Sequence, residues 1–315
     1  LGTDSNPNQA DLEDLAKQTA ENLKKFNVFE VNLFVDDSSL GPLQRPTDWL
    51  DRYFNSSEIH LISALNLDDP LAPKQAPEDP SITTGQTFAI YLIKNNIKVN
   101  GLVLRKKAPS DAYDVAAEYS KSIAQIIEDM LIISNNQDSE ILARVSSSIA
   151  LNNPSTNAAT DLVLKDVEKL GISSVDNALS DTSGLSRSNK ISPSDFSELI
   201  YKSVHQPEVS IQAEGDDSKF LFKPKNSIPP DTWPVFTGLP TGHGLGTMEK
   251  RFDEDKSPGR GVVRAKTGTL NQVITLAGTI TTKDQAFLSF AILVNRVEKP
   301  NQVREALDNL LNEIA

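Results

Sequence analysis

The run Arg264-Ala265-Lys266-Thr267-Gly268-Thr269 closes a stretch of strand character that begins at Gly261. Two further strands are predicted after it, over 273–281 and 286–294, because both are rich in β-branched and other apolar residues. Only residues 282–285 separate these two, so they should form an antiparallel hairpin. Beyond Pro300, Val303, Ala306, Leu307, Leu310, Leu311 and Ile314 recur at helical spacing and predict a closing amphipathic helix. The Lys-Thr-Gly-Thr run itself has two readings. It is a strand end with a surface lysine and a turn glycine. Alternatively, the lysine and a threonine hydroxyl bind a carboxylate, with backbone N–H groups nearby for an oxyanion. In that case the glycine lets an extended ligand approach the strand.

Upstream, residues 1–9 are polar and read as a strand end entering a loop. Leu12, Leu15, Ala16, Thr19 and Leu23 predict a helix over 11–26, with acids early and Lys24-Lys25 late, and Asn27 is a helix stop. Strands are predicted over 28–35, 59–67 and 99–105, a helix over 81–95, and a proline-rich connector over 68–80. This alternation suits an α/β or α+β module. From Asp114 to Ala150 the pattern is helical, interrupted by a polar break from Ser134 to Ser139. Further helices follow over 158–170, stopped by Gly171, and over 194–201.

Two weaker signals lie in this helical part. Ser134-Asn135-Asn136 occupies the polar break, and Ser155-Thr156-Asn157 repeats its Ser-x-Asn pattern. Only the first copy is followed by Ser139-Glu140 and Arg144. Either copy also reads as an ordinary polar loop joining two helices. Asp181-Thr182-Ser183-Gly184-Leu185-Ser186-Arg187 reads as a Ser/Gly-rich turn before a capped helix.

The composition narrows the classes. The 315 residues carry 31 Lys+Arg against 43 Asp+Glu, a net charge of -12 that argues against a nucleic-acid partner. The longest apolar run, near Phe287–Val294, is far below the roughly 20 residues of a membrane-spanning helix. There is no cysteine, which excludes thiolate catalysis, Cys-based zinc sites and disulfides. His60, His205 and His243 are scattered without metal-like spacing, so no metal is predicted. The chain opens on Leu1 and its first methionine is Met130, which predicts that a segment precedes it in the gene product.

In their order along the chain, Ser134-x-Asn136 with Glu140 and Arg144, Asp181 to Ser188, Leu239-Pro240 to Phe252, and Arg264 to Thr269 resemble the class C low-molecular-mass penicillin-binding proteins. These are serine D-alanyl-D-alanine carboxypeptidase/endopeptidases of bacterial cell walls. Leu276-Ala277-Gly278 and Phe290 to Asn295 extend the resemblance, and Val35 to Ser38 and Ile62 to Leu65 are similar to the family's inserted domain. The resemblance implies an α+β fold: a penicillin-recognising domain, like that of serine transpeptidases and β-lactamases, whose antiparallel sheet is flanked by helices. It also implies an inserted α/β region, here residues 1–107, with the catalytic domain over 108–315.

The same resemblance implies three active-site elements, Ser-x-x-Lys, Ser-x-Asn and Lys-Thr-Gly. No serine of this chain has a lysine three positions on. The nucleophile is therefore expected in roughly a hundred residues upstream of Leu1. Those residues would be on a separate chain after cleavage, removed by truncation, or absent in a degenerate homologue. In the family's terms, Ser134 relays a proton to the leaving amine and Asn136 binds the substrate's peptide amide. Lys266 keeps the base lysine neutral and attracts the terminal carboxylate. Thr267 and Thr269 bind that carboxylate, and the Thr269 amide beside Gly268 completes the oxyanion hole. Ser183 and the 242–246 loop are read as structural supports. The implied partners are peptidoglycan stem peptides ending in D-Ala-D-Ala and β-lactams, and no metal or organic cofactor is needed. The implied location is extracytoplasmic. The alternative is a non-catalytic homologue that binds wall peptides or a protein. A serine β-lactamase fits less well, because those enzymes lack the inserted segment and the 181–188 block.

Overall fold

The computed structural model describes residues 10–46, 48–56, 58–67, 77–205, 232–254 and 256–315. The predicted loop over 1–9 and most of the connector over 68–80 lie outside these. The chain divides into two compact units. One holds residues up to Ile123 together with Asn136–Val163 and Leu179–Ser188, and the other holds Ala124–Asn135, Leu164–Ala178 and Asn189–Ala315.

In the first unit, helix α1 (Leu12–Lys25) starts where the Asp11 side chain accepts from the Glu13 and Asp14 amides. It ends with Asn27 at φ 58°, as predicted. Helix α3 (Pro80–Lys94) begins with proline in its first turn and Asp79 as its cap. Leu12, Ala16 and Ala20 of α1 bury against Tyr91 and Leu92 of α3 and against Ile97. A five-residue helix, α2 (Asp51–Asn55), lies between them in sequence.

The strands here are shorter than predicted. The run 28–35 breaks into β1 (Glu30–Val31) and β2 (Phe34–Val35), and 99–105 into β3 (Lys98–Val99) and β4 (Leu104–Arg105). These pair in parallel as β1–β3 and β2–β4. The break in the second run is at Gly101, whose φ of 71° takes the chain out of the extended region. The predicted strand over 59–67 reduces to one bridge, Ile62 with Gln44. Its buried positions Ile59, Ile62 and Ser63 do not alternate, so no strand face forms.

The predicted helix from Asp114 starts only at Ile123. Tyr113 and Tyr119 are 95% and 82% exposed, so the segment has no packed face to offset the cost of nucleating a helix. The Asn22 side chain of α1 instead binds the Val115 carbonyl at 2.7 Å. Helices α4 (Ile123–Ile133) and α5 (Asn136–Leu151) follow, then α6 (Thr156–Lys169), stopped at Gly171 with φ 76°.

The second unit carries an antiparallel sheet in the order β5 (Val263–Leu270), β6 (Val273–Thr281), β7 (Phe287–Asn295). Val263 and Ala265 of β5 and Ile274, Leu276 and Ile280 of β6 share one face with Leu307 and Leu311 of helix α9 (Pro300–Ile314). The opposite face receives α7 (Pro193–Val204) and α8 (Trp233–Gly238). His205 beyond α7 and Phe236 of α8 both meet the Phe287 ring, and Arg264 stacks over Phe236 at 5.1 Å. An antiparallel sheet with helices on both sides is the predicted α+β arrangement.

Gly278 of β6 lies opposite Ala265 of β5. A Cβ there would lie 1.9 Å from the Arg264 carbonyl oxygen and 2.6 Å from the Ala265 Cα, both backbone atoms that cannot turn aside. Gly278→Ala is therefore expected to cost about 3 kcal/mol by overpacking. Urea unfolding of the variant against the unsubstituted chain measures it.

Candidate active site

Helix α4 ends in a turn that few side chains tolerate. The Asn135 N–H closes back onto the Met130 carbonyl at 2.9 Å, and Ser134 takes the left-handed position with φ 60°. This is the hydrogen-bond pattern of a Schellman cap, in which glycine is the usual occupant of that position. A serine there carries a cost of about 1–2 kcal/mol. What it supplies is a hydroxyl aimed back from the helix end.

Two glycines let neighbouring backbone close around α4. A Cβ on Gly246 would meet the Ile132 carbonyl oxygen at 2.1 Å, and one on Gly238 would meet the Glu128 Cα at 2.8 Å. The end of α8 and the 239–248 segment therefore press directly on α4, and this fixes where Ser134 lies.

Opposite stands Lys266. Arg264 and Lys266 share the sheet face that Val263 and Ala265 do not, by the two-residue period of β5. The Lys266 Nζ donates to the Ser134 Oγ at 2.6 Å and to the Thr267 carbonyl at 2.8 Å. No carboxylate pairs with it among the described residues. Burial alone pushes its pKa down to about 8, so the ammonium persists at neutral pH but yields a proton readily above it. A lysine so poised beside a hydroxyl can hold a proton or exchange one through that hydroxyl.

β5 is an edge strand, and half its edge is covered. The Ala265 N–H reaches the Pro240 carbonyl at 2.9 Å, and the Gly242 N–H reaches the Val263 carbonyl at 2.8 Å. By alternation the N–H groups of Thr267 and Thr269 point the same way, beyond the end of that cover. Among the described residues nothing covers the edge from 267 to 269, which could pair with an added extended chain. Gly268 also answers a demand from the sheet, because a Cβ there would lie 2.2 Å from the Thr275 hydroxyl across on β6. Thr267 donates to the Thr247 hydroxyl at 2.9 Å, and Thr269 is exposed.

The structure thus brings Ser134, Lys266, Thr267, Gly268 and Thr269 together within one unit. Asn136, two residues beyond Ser134, opens α5 in the other unit, where its amide donates to the Glu58 carbonyl at 3.0 Å.

Sequence reasoning left Glu140, Arg144 and Asp181 without roles, and all three are fully buried in the first unit. Glu140 accepts the Thr182 and Ser183 amides, each at 2.8 Å. Asp181 accepts from Gly184 at 2.9 Å, Ser186 at 2.6 Å and the Trp49 indole at 2.7 Å. The 181–188 block is thereby a loop held on α5 by carboxylates. The one signal for this in the sequence is the occurrence of charged residues, Glu140 and Arg144, one helical turn apart amid apolar neighbours. Burial raises the Glu140 pKa against the pull of the two amides, and it lowers that of Arg144.

An antiparallel sheet with helices on both sides is the arrangement of the penicillin-recognising fold. Penicillin-binding protein 4 of Haemophilus influenzae has the same fold, with a TM-score of 0.74 over 96% of this chain and 79% of that one at 19% identity. A second structure of that protein, complexed with a β-lactam, matches with a TM-score of 0.66 over 99% of this chain and 80% of that one, also at 19% identity. Residues 68–215 and 221–314 match the D-Ala-D-Ala carboxypeptidase 3 (S13) family, and the chain belongs to it. It is a class C low-molecular-mass penicillin-binding protein, as the order of motifs implies.

Among curated relatives, a carboxypeptidase of Mycobacterium tuberculosis is 27% identical over 303 residues, 93% of this chain and 59% of that protein. A D-alanyl-D-alanine carboxypeptidase of an Actinomadura species is 25% identical over 260 residues, 78% of this chain and 43% of that protein. The chain thus spans about half the length of the curated relatives it matches. No helix among the described residues is long and apolar enough to cross a membrane.

Two measurements test this geometry. Ser134→Gly and Ser134→Ala both remove the hydroxyl, but only alanine keeps a Cβ at positive φ. The glycine variant is expected to be the more stable by about 1 kcal/mol in denaturant melts. The Lys266 Nζ, followed by NMR, should titrate near pH 8. The unfolded chain, with its lysine near the ordinary 10.5, then binds the extra proton between those values. Stability from this group should accordingly rise as pH climbs from about 8 towards 10.5.

Proposed function

We propose that this chain supplies the Ser-x-Asn and Lys-Thr-Gly elements of a serine-type D-alanyl-D-alanine carboxypeptidase/endopeptidase that acts on peptidoglycan peptides outside the cytoplasm. The observation that carries the reading is the 2.6 Å contact from Lys266 Nζ to Ser134 Oγ beside the open edge of β5. The nucleophile belongs to a Ser-x-x-Lys element that the 315 residues do not contain. Its hydroxyl attacks the carbonyl of the penultimate D-Ala, an acyl-enzyme ester forms, and the C–N bond to the last residue breaks. Ser134 passes a proton towards the departing amine, and Lys266 holds the charge balance around it. The Thr269 N–H stabilises the oxyanion, and Asn136 holds the substrate amide. Water then hydrolyses the ester and frees the serine. β-Lactams acylate the same serine, their ring amide opening in place of the peptide bond. Residues 1–107 correspond to the inserted region and 108–315 to the catalytic domain.

Fluorescent penicillin added to the full gene product tests this. Covalent label is expected, with Lys266→Ala slowing labelling by at least about 100-fold. The isolated 315-residue chain should take none. Folded full product that stays unlabelled would favour the second reading, a binding protein without catalysis, for which the missing Ser-x-x-Lys is the motivating observation. Label on the isolated chain would contradict the assignment of the nucleophile.

A further inference from the structure

Arg251 and Arg304 touch, the Arg251 Nη2 lying 3.5 Å from the Arg304 carbonyl, and their guanidinium groups have different partners. Arg251 is neutralised by Asp308, its Nε lying 3.2 Å from one carboxylate oxygen while its Nη2 reaches the other. Arg304, in the second turn of α9, has only neutral contacts. Its Nη1 donates to the Asn301 side chain at 2.9 Å and its Nη2 to the Thr269 Oγ1 at 3.4 Å. No carboxylate pairs with Arg304 among the described residues. A half-exposed guanidinium with spare donors is a site for planar, two-oxygen anions.

The contact with Thr269 has a chemical consequence. A hydroxyl that accepts from an arginine keeps its own hydrogen for another acceptor. The neighbouring Thr267 spends its hydrogen on Thr247 at 2.9 Å. Thr269 is therefore the hydroxyl on this strand whose hydrogen has no acceptor among the described residues, and Arg304 stands behind it. Both sit where the uncovered edge of β5 ends. Lys266 is on the other face of the strand, directed at Ser134.

We infer that Arg304 is a specificity-determining residue that, with the Thr269 hydroxyl, receives the carboxylate of a ligand lying along β5. Lys266 is then left to the proton chemistry at Ser134. The inference rests on the proposed carboxypeptidase reading for its substrate: the carboxylate is the free C-terminus of a peptide ending in D-Ala-D-Ala. It departs from the expectation that Lys266 attracts that group.

The test compares an acyl-Lys-D-Ala-D-Ala peptide with its C-terminal amide, on the full gene product and on Arg304→Ala and Arg304→Lys. The ratio of kcat/KM for acid over amide should fall about 10-fold in the alanine variant, through KM, as for loss of one charge-assisted hydrogen bond. The lysine variant should recover part of it. An unchanged ratio, or equal losses on both peptides, overturns the inference. The same peptides titrated into the 315-residue chain, with the Thr269 amide signal followed by NMR, give a readout without turnover. There the acid should bind more tightly than the amide, and Arg304→Ala should abolish the preference. If that preference depends on Arg304 but the full product neither turns over nor takes penicillin, the carboxypeptidase reading fails and the inference stands. If turnover is normal and the preference does not depend on Arg304, the inference alone fails.

Discussion

A left-handed residue at the end of α4 is the constraint from which the site follows. Ser134 at φ 60° closes the helix by the Asn135-to-Met130 bond and turns its side chain back towards the sheet. Such a conformation persists only where the surroundings over-determine it. Here the surroundings are the glycine contacts at 238 and 246, which seat backbone directly against α4. Relaxing the turn would move the hydroxyl away from Lys266, which has no carboxylate partner among the described residues. The strain at Ser134 and the depressed pKa of Lys266 are thus two sides of one packing arrangement.

β5 then sorts the chemistry by face. Its even-numbered positions direct Arg264 and Lys266 towards α8 and α4, while its odd-numbered positions direct Thr267 and Thr269 towards Thr247 and Arg304. On the proposed reading, proton exchange and anion recognition occupy opposite faces of one strand, separated by a backbone whose edge is uncovered among the described residues. A ligand that engages both must run along that edge, because only there do the faces meet. The cover from Pro240 to Gly242 sets where such a ligand can start.

How much of this was legible depends on whether the determinant was local. The β6–β7 hairpin, α1, α3 and α9 followed from periodicity, caps and a short turn, all encoded within each segment. Lys266 to Thr269 stood out for the same reason, as a compact run at a strand end. The left-handed Ser134 was not legible, because nothing local distinguishes a serine held at positive φ from one in a loop. Two glycines more than a hundred residues away impose it. The predicted helix over 114–122 failed by the same logic, since Asn22 competes for its backbone from another helix. The broken strands at 28–35 and 98–105 reflect parallel pairing across nearly seventy residues, which no local pattern announces.

The 181–188 block shows how a motif can mark architecture instead of chemistry. Its sequence is dense in hydroxyls and looks reactive, yet its backbone N–H groups are where the structure invests its buried charge. Glu140 and Asp181 between them accept four backbone amides of residues 182–186 and the Trp49 indole. Arg144 stands 3.9 Å from Glu140, too far for a good hydrogen bond, so the pair attracts by charge alone and that attraction offsets only part of the desolvation of Arg144. The amides of Thr182 and Ser183 supply that compensation for the carboxylate. An irregular loop docked this way depends on its acids, because Glu140 on α5 accepts the amides of Thr182 and Ser183. The same stretch of sequence therefore serves two ends, with Ser134 facing Lys266 and Glu140 gripping a loop.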